Sequence, residues 1–167
     1  MPQDPAITLD PSREEDLPRL NEIVNEPDVV RYLDLIPPVP FKQTLEFFWI
    51  VKVSGGMMWS IRVEGEVAGA VGLIPEMKHT KLAHGAGLFI YLEKPYWGQG
   101  IASFAIRFAL DQAKEAGIER IEVLVVDKNT RALELFQNNG FEYEGLLKKA
   151  FKDDGEYQNL VLLARLL

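Results

Sequence analysis

Turns that join strands directly stand at two places in this chain, and helices separate the strands between them. Glu64-Gly65-Glu66 is a short polar break, centred on glycine, between two apolar runs, Met58 to Val63 and Val67 to Leu73. Asp153-Asp154-Gly155 marks a second turn, ahead of the apolar run Leu160 to Ala164. In between, strand-like and helical segments alternate: Leu88 to Leu92, Ile101 to Ala116, Arg120 to Val126 and Asn129 to Asn138. Hairpins require antiparallel neighbours, whereas a strand–helix–strand crossover allows parallel ones. A chain with both points to a mixed sheet covered by helices, an α/β (α+β) fold. With 167 residues the expectation is one domain over residues 1–167, since two would each be small.

The first third adds a strand and helices. Ala6 to Asp10 reads as a strand, and Ser12-Arg13-Glu14-Glu15 as a capping box that starts a helix. Leu17, Leu20, Ile23 and Val24 then follow at helical spacing. A second short helix fits Pro27 to Leu33, and Ile36-Pro37-Pro38-Val39-Pro40 has to be a loop. Thr44 to Ser54 reads as a helix that Gly55-Gly56 ends.

Composition removes several chemistries. There is no cysteine, which excludes disulfides, thiolate metal sites and a cysteine nucleophile. Two histidines, His79 and His84, do not make a histidine-rich metal site, so no metal is expected. A net charge of −7 disfavours nucleic acid and anionic membrane as partners. MPQDPAITLD holds no apolar signal core and no apolar run is long enough to span a bilayer, so the expected location is the cytoplasm.

Between the Leu88–Leu92 strand and the following helix stands Trp97-Gly98-Gln99-Gly100-Ile101-Ala102-Ser103. Glycines let a backbone pass close to a ligand, and a helix start offers free N–H groups and a positive dipole end. Together they suit a pyrophosphate; a tight strand-to-helix turn explains the same glycines. A nucleotide P-loop would need Lys and Ser/Thr after the glycine, where Gly100 is followed by Ile101. About thirty residues on, Asn129, Ala132, Leu133 and Phe136 share one helix face, and Asn139-Gly140-Phe141 closes that helix.

Loop and helix together resemble the GNAT superfamily of N-acetyltransferases, which implies a central mixed, mostly antiparallel sheet flanked by helices. Gly98-Gln99-Gly100-Ile101-Ala102 is similar to its pyrophosphate loop, Arg/Gln-x-x-Gly-x-Gly/Ala. Asn129-x-x-Ala132-x-x-x-Phe136-x-x-x-Gly140-Phe141 is similar to its Asn-x-x-Ala-x-x-x-Tyr-x-x-x-Gly-Phe motif. Trp97 stands where Arg or Gln is usual, which resembles a subgroup with Tyr-Trp-Gly loops that includes ribosomal-protein N-terminal acetyltransferases. The resemblance implies acetyl-CoA as co-substrate and a primary amine as acceptor, either a small molecule or a protein N-terminus; a homodimer is compatible with it. It also implies that the amides of Gln99, Gly100, Ile101 and Ala102 hold the pyrophosphate, with Ser103 adding its hydroxyl. Ile90 and Leu92 would pair with the pantetheine arm, Asn129 would bond that arm, and Phe136 would lie near the thioester.

The resemblance names no acid or base. Phe136 replaces the usual Tyr, and Gly87 stands where related sequences carry Glu. Candidates from the residues themselves are Glu93, Tyr91 and His84 for the base, and Tyr143, Tyr157 or Ser103 for the thiol proton; solvated loop charge, strand aromatic and exposed loop histidine are the plainer roles of the first three. Arg131 and Lys128 are candidates for phosphate contact or plain surface charge. Tyr32, Phe47, Phe48, Trp49 and Trp59 would line an amine pocket or serve as core. Asp28, Asp34 and Glu46 would attract a cationic acceptor or simply face solvent. Without a cysteine, transfer would be direct, in a ternary complex. The alternative to an enzyme is a non-catalytic acyl-CoA-binding sensor on the same fold.

Overall fold

The computed structural model describes residues 4–167; Met1–Gln3, which begin the segment read above for a signal core, lie outside the described residues. Seven strands form one sheet: β1 (Ile7–Pro11), β2 (Met57–Val63), β3 (Glu66–Pro75), β4 (Gly85–Leu92), β5 (Arg120–Val126), β6 (Glu142–Asp153) and β7 (Glu156–Leu166). Their order is β1-β2-β3-β4-β5-β7-β6. Every neighbouring pair is antiparallel except β4–β5, which the helical crossover makes parallel. This is the mixed sheet that the turn pattern points to, mostly antiparallel as the family resemblance implies.

Both strand-joining turns take the left-handed backbone that matches hairpin twist. Glu64 and Gly65 have φ of 51° and 85°, and Asp154 and Gly155 have φ of 44° and 79°. Helices cover both faces. On one, α4 (Ile101–Glu115) buries Ile101, Ala105, Ile106, Ala109 and Ala113 against Ile61, Val71, Leu73, Ile121 and Leu163. Phe136 of α5 (Thr130–Asn138) completes that layer, its ring edge-on to Phe141 with centroids 5.2 Å apart. On the other face, α1 (Leu17–Val24) and α3 (Phe41–Val53) pack Leu17, Leu20, Phe48 and Val51 onto Met58, Val67 and Ala70. The short α2 (Pro27–Val30) seats Val30 beside Val24 and Val39. Among the described residues no helix is long and apolar enough to cross a membrane.

Three local expectations shift. The helix start is capped at Arg13 rather than Ser12: the Arg13 amide donates to Asp16 Oδ2 at 3.1 Å, and Glu14–Asp16 form a 3-10 turn before α1. Ser12 is instead buried against the sheet, its hydroxyl 2.9 Å from that of Ser60. The third helix begins at Phe41, because Pro40 fixes an extended residue and supplies the first turn's carbonyl. The last hairpin runs well past the apolar segment, since β6 is an exposed edge strand with two register irregularities and carries no clean alternation.

Asp16 ties the helical layer to the sheet. It is 5% exposed and accepts hydrogen bonds from Ser60 Oγ at 2.8 Å and Arg62 Nη2 at 2.6 Å, besides the Arg13 amide. Burial alone would raise its carboxyl; hydrogen bonds from Ser60, Arg13 and Arg62, with the Arg62 charge, outweigh that and hold it below its ordinary value. A depressed folded-state value means stability that is present at neutral pH and lost as pH falls through the acid range below about 4. Asp16→Asn is therefore expected to cost about 2 kcal/mol at pH 7 in denaturant unfolding. The gap to the parent protein should narrow as the pH is lowered through that range, and a gap that stays constant would contradict the assignment.

Candidate functional site

The sheet opens in its middle. β4 and β5 pair only at Gly85–Arg120, Ala86–Ile121 and Gly87–Glu122. Beyond Gly87 each strand keeps only its outer neighbour, β3 for β4 through Leu92 and β7 for β5 through Val126. The ladder shows which peptide groups this frees. Glu93 N donates to Ala68 O, which makes Gly69–Leu92 a non-bonded pair and turns the peptide groups of Leu88, Ile90 and Leu92 away from β3. Asp127 N donates to Asn159 O, which likewise turns the peptide groups of Leu124 and Val126 away from β7. Leu92 O is met by the Trp97 indole, Val126 O by the Asn129 amide and Leu88 N by the last β4–β5 bridge; the remaining groups leave two largely unpaired backbone edges facing each other across a wedge. The wedge is the centre of a cavity of about 790 Å³.

At the wide end of the wedge stands the glycine loop. Gly98 and Gly100 have φ of 71° and 79°, and a side chain added at either would meet nothing within 4 Å. The loop thus adopts a backbone that favours glycine and leaves open space before α4. The first α4 amide with a helical partner is that of Phe104, which donates to Gly100 O. Among the described residues the amides of Ile101, Ala102 and Ser103 have no acceptor, so three donors and a helix dipole point into that space. The Ser103 hydroxyl lines the cavity and accepts from Asn139 Nδ2 at 3.0 Å.

The opposite wall comes from α5. Asn129 caps it, its Oδ1 accepting from the Ala132 amide at 3.3 Å, and lines the cavity with Phe136. The third wall is the segment from α2 to Asp34, which contributes Asp28, Tyr32 and Asp34. Two ion pairs fasten that segment and α1 to the end of β4: Lys94–Asp28 at 2.8 Å and Arg19–Glu93 at 2.7 Å. Glu26 sits against Glu93, and burial together with the Glu93 hydrogen bond and charge raises its carboxyl.

The structure gathers most of the residues singled out from the sequence. Ile90, Leu92, Trp97, Gly98, Gly100, Ala102, Ser103, Asn129 and Phe136 all line one cavity. Gln99 and Ile101 belong to the same turn but turn their side chains elsewhere: Gln99 Nε2 donates to Pro95 O, and Ile101 is in the core. The acid–base candidates scatter. Tyr91 lines the cavity, and burial pushes its hydroxyl far above its ordinary value, so it keeps its proton at neutral pH and is no base there. Glu93 is not a solvated loop charge; its side chain is 18% exposed and held by Arg19. His84 precedes β4 at the still-paired end of the wedge, where its carbonyl accepts from Glu119 N, and it does not line the cavity. Tyr143 and Tyr157 are exposed on the last hairpin, also outside it. Of the aromatics considered for an amine pocket, Tyr32 alone lines the cavity. Trp59 and Phe48 are core, Phe47 packs edge-on to Phe89, and Trp49 faces outward on α3.

Sequence reasoning missed the inward-turned peptide groups of Leu124 and Val126, because a strand's register cannot be read from one strand alone. It also missed that Trp97 Nε1 donates to Leu92 O at 2.6 Å. The signal for the latter was present, since an indole N–H placed this close to a strand end seeks a carbonyl.

The chain matches the Acetyltransferase (GNAT) family over residues 17–141. It is 26% identical over 163 residues to the spermidine N(1)-acetyltransferase of Escherichia coli K12, covering 96% of this chain and 86% of that one. Its fold is similar to that of a ribosomal-protein-alanine N-acetyltransferase from Brucella melitensis, with a TM-score of 0.85, 22% identity, and 96% and 99% of the two chains covered. It is also similar to a spermidine N-acetyltransferase from Vibrio cholerae solved with CoA and spermine, with a TM-score of 0.83, 23% identity, and 96% and 95% covered. At such identities the two structures establish a shared fold.

Proposed function

The chain belongs to the acetyltransferase (GNAT) family, and from that premise we propose that it moves an acetyl group from acetyl-CoA to a primary amine across the wedge between β4 and β5. The observation that carries this reading is an unpaired strand edge that ends at a bare helix N-terminus. The Leu88 carbonyl and both peptide groups of Ile90 are free, and the open loop at Gly98 and Gly100 leads to the unpaired amides of α4. An extended amide-containing arm completes the first by strand addition, and a pyrophosphate fits the second. The residues present therefore fit CoA at both ends.

Acetyl-CoA supplies a thioester carbonyl; this chain's residues position it. The amides of Gln99 to Ala102 hold the pyrophosphate, while Ile90 and the Asn129 amide align the arm. An inward N–H of β4 polarises the carbonyl. Phe136, 5% exposed, closes the apolar wall there and offers no proton. An alkylammonium has a pKa near ~10 and must lose a proton to solvent before attack, water serving only as the relay; the C–S bond then breaks and the departing thiolate takes up a proton, leaving the amide and free CoA. The absence of cysteine excludes a thiol-linked acyl intermediate and so supports direct attack in a ternary complex, with alignment carrying much of the rate. The acceptor enters on the α2 side, where Tyr32 and Asp34 suit a cationic amine and Asp28 is already held by Lys94. Names among the relatives, spermidine acetyltransferase and ribosomal-protein-alanine acetyltransferase, support polyamines and peptide N-termini as the first amines to assay.

Thermal unfolding with acetyl-CoA at 100 times its dissociation constant is expected to raise Tm by about 5–11 °C, which ATP and NAD should not reproduce. No shift at millimolar acetyl-CoA would overturn the reading. Release of free CoA that depends on an added amine would then separate turnover from binding alone.

Gly100→Val places a branched side chain at φ 79° and fills the space before α4. It should abolish measurable acetyl-CoA binding while circular dichroism still shows a folded chain. Asn129→Asp keeps an oxygen for the helix cap but removes the amide donor. It should leave Tm within a few degrees and weaken acetyl-CoA binding about tenfold; unchanged affinity would remove Asn129 from the site.

A further inference from the structure

Trp97 occupies the loop position where Arg or Gln opens the motif that this loop otherwise resembles, so the loop lacks that cation or donor. The structure shows what the indole does instead. Its N–H is fixed on Leu92 O at 2.6 Å, and the guanidinium carbon of Arg131 lies over its ring, 4.3 Å from the centroid. Trp97 follows the β4 wall and Arg131 belongs to the first turn of α5, so the stack joins two walls of the cavity, and both residues line it. Arg131 is exposed, and among the described residues it has no ion pair and donates no hydrogen bond, not even to Glu134 one turn on. An arginine held by its flat face keeps its N–H fork free, and tryptophan is the best aromatic for that hold. A planar fork is matched to phosphate oxygens. A chain of net charge −7 gains from a cation placed at the mouth of a polyanion's site.

Resting on the reading that the wedge takes acetyl-CoA, we propose that Arg131, presented by Trp97, binds a phosphate of the nucleotide end of CoA and so replaces the missing loop cation from a different element. Trp97 is then a positioning residue: it orders the guanidinium before the ligand arrives. The chemistry is shared by the pyrophosphate and the 3′-phosphate, and dephospho-CoA distinguishes them.

The test is calorimetric binding of CoA and dephospho-CoA to the full chain and to Arg131→Gln, Trp97→Phe, Trp97→Leu and the Arg131→Gln/Trp97→Leu double variant. Arg131→Gln should weaken CoA about tenfold or more and flatten the salt dependence of binding. Trp97→Phe, which keeps a ring, should lose less than Trp97→Leu. The double variant should bind no worse than Arg131→Gln alone, because the two side chains act as one unit. An equal loss on both ligands assigns the pyrophosphate; a loss confined to CoA assigns the 3′-phosphate. If Arg131→Gln binds CoA as the parent does while Gly100→Val does not, this inference falls and the CoA site stands. If the parent protein binds no CoA, both fall. Unliganded Tm, expected to be unchanged for the exposed Arg131→Gln, guards against a folding artefact.

Discussion

The parting of β4 and β5 is the constraint on which the rest of the molecule depends. Peptide groups inside a protein are almost always paired, and leaving a strand edge open in the middle of a sheet is costly unless something else meets it. Here each strand keeps its outer partner through to its end, β3 for β4 and β7 for β5, so only the inner edge is unsatisfied. The opening is narrow where Gly85–Gly87 pair with Arg120–Glu122 and wide where the glycine loop leaves β4. Helix α4 follows that loop, and its free amides are delivered to the same opening. A sheet that stayed zipped would have neither an edge for strand addition nor a path from the loop into the interior.

Around the opening, polar contacts set positions more than they add stability. The Lys94–Asp28 pair is exposed on both sides, and such pairs contribute little net energy. With Arg19–Glu93 it nevertheless fastens α1 and the α2 segment to the end of β4, which places Tyr32 and Asp34 over one side of the wedge. Asp16 differs, because it is buried and bonded from three directions, and it anchors the helical layer to β2. Trp97 combines both kinds of role, with one bond back to its own strand and a ring face turned to the opposite wall.

Much of this was legible in the residues. The glycines at 65 and 155 announced the hairpins, and the structure puts both at positive φ. The loop at Gly98–Ser103 and the helix from Asn129 are separated by about thirty residues of helix and strand, yet they line one cavity. The acid–base candidates were not legible in the same way. Glu93 reads as a loop charge until Arg19, far earlier in the chain, is brought 2.7 Å away. His84, Tyr143 and Tyr157 carry suitable chemistry but project from places remote from the wedge. The capping residue was misjudged for a related reason: Ser12 is a good cap by type, but burial against Ser60 claims its hydroxyl.

Local conformation is decided by residues near one another in sequence, so the sequence by itself determined the elements, the mixed sheet and the loop able to receive an anion. Glycine at positive φ, proline at helix starts and apolar spacing act over a few residues and need no knowledge of the whole. Only the tertiary structure decided where the sheet opens, which peptide groups are left unpaired, which carboxylates are neutralised and which aromatic meets a cation. Those properties arise from pairing register and from contacts between residues dozens of positions apart, such as Arg131 over Trp97. No single segment contains the information, because each partner's environment is made by the other.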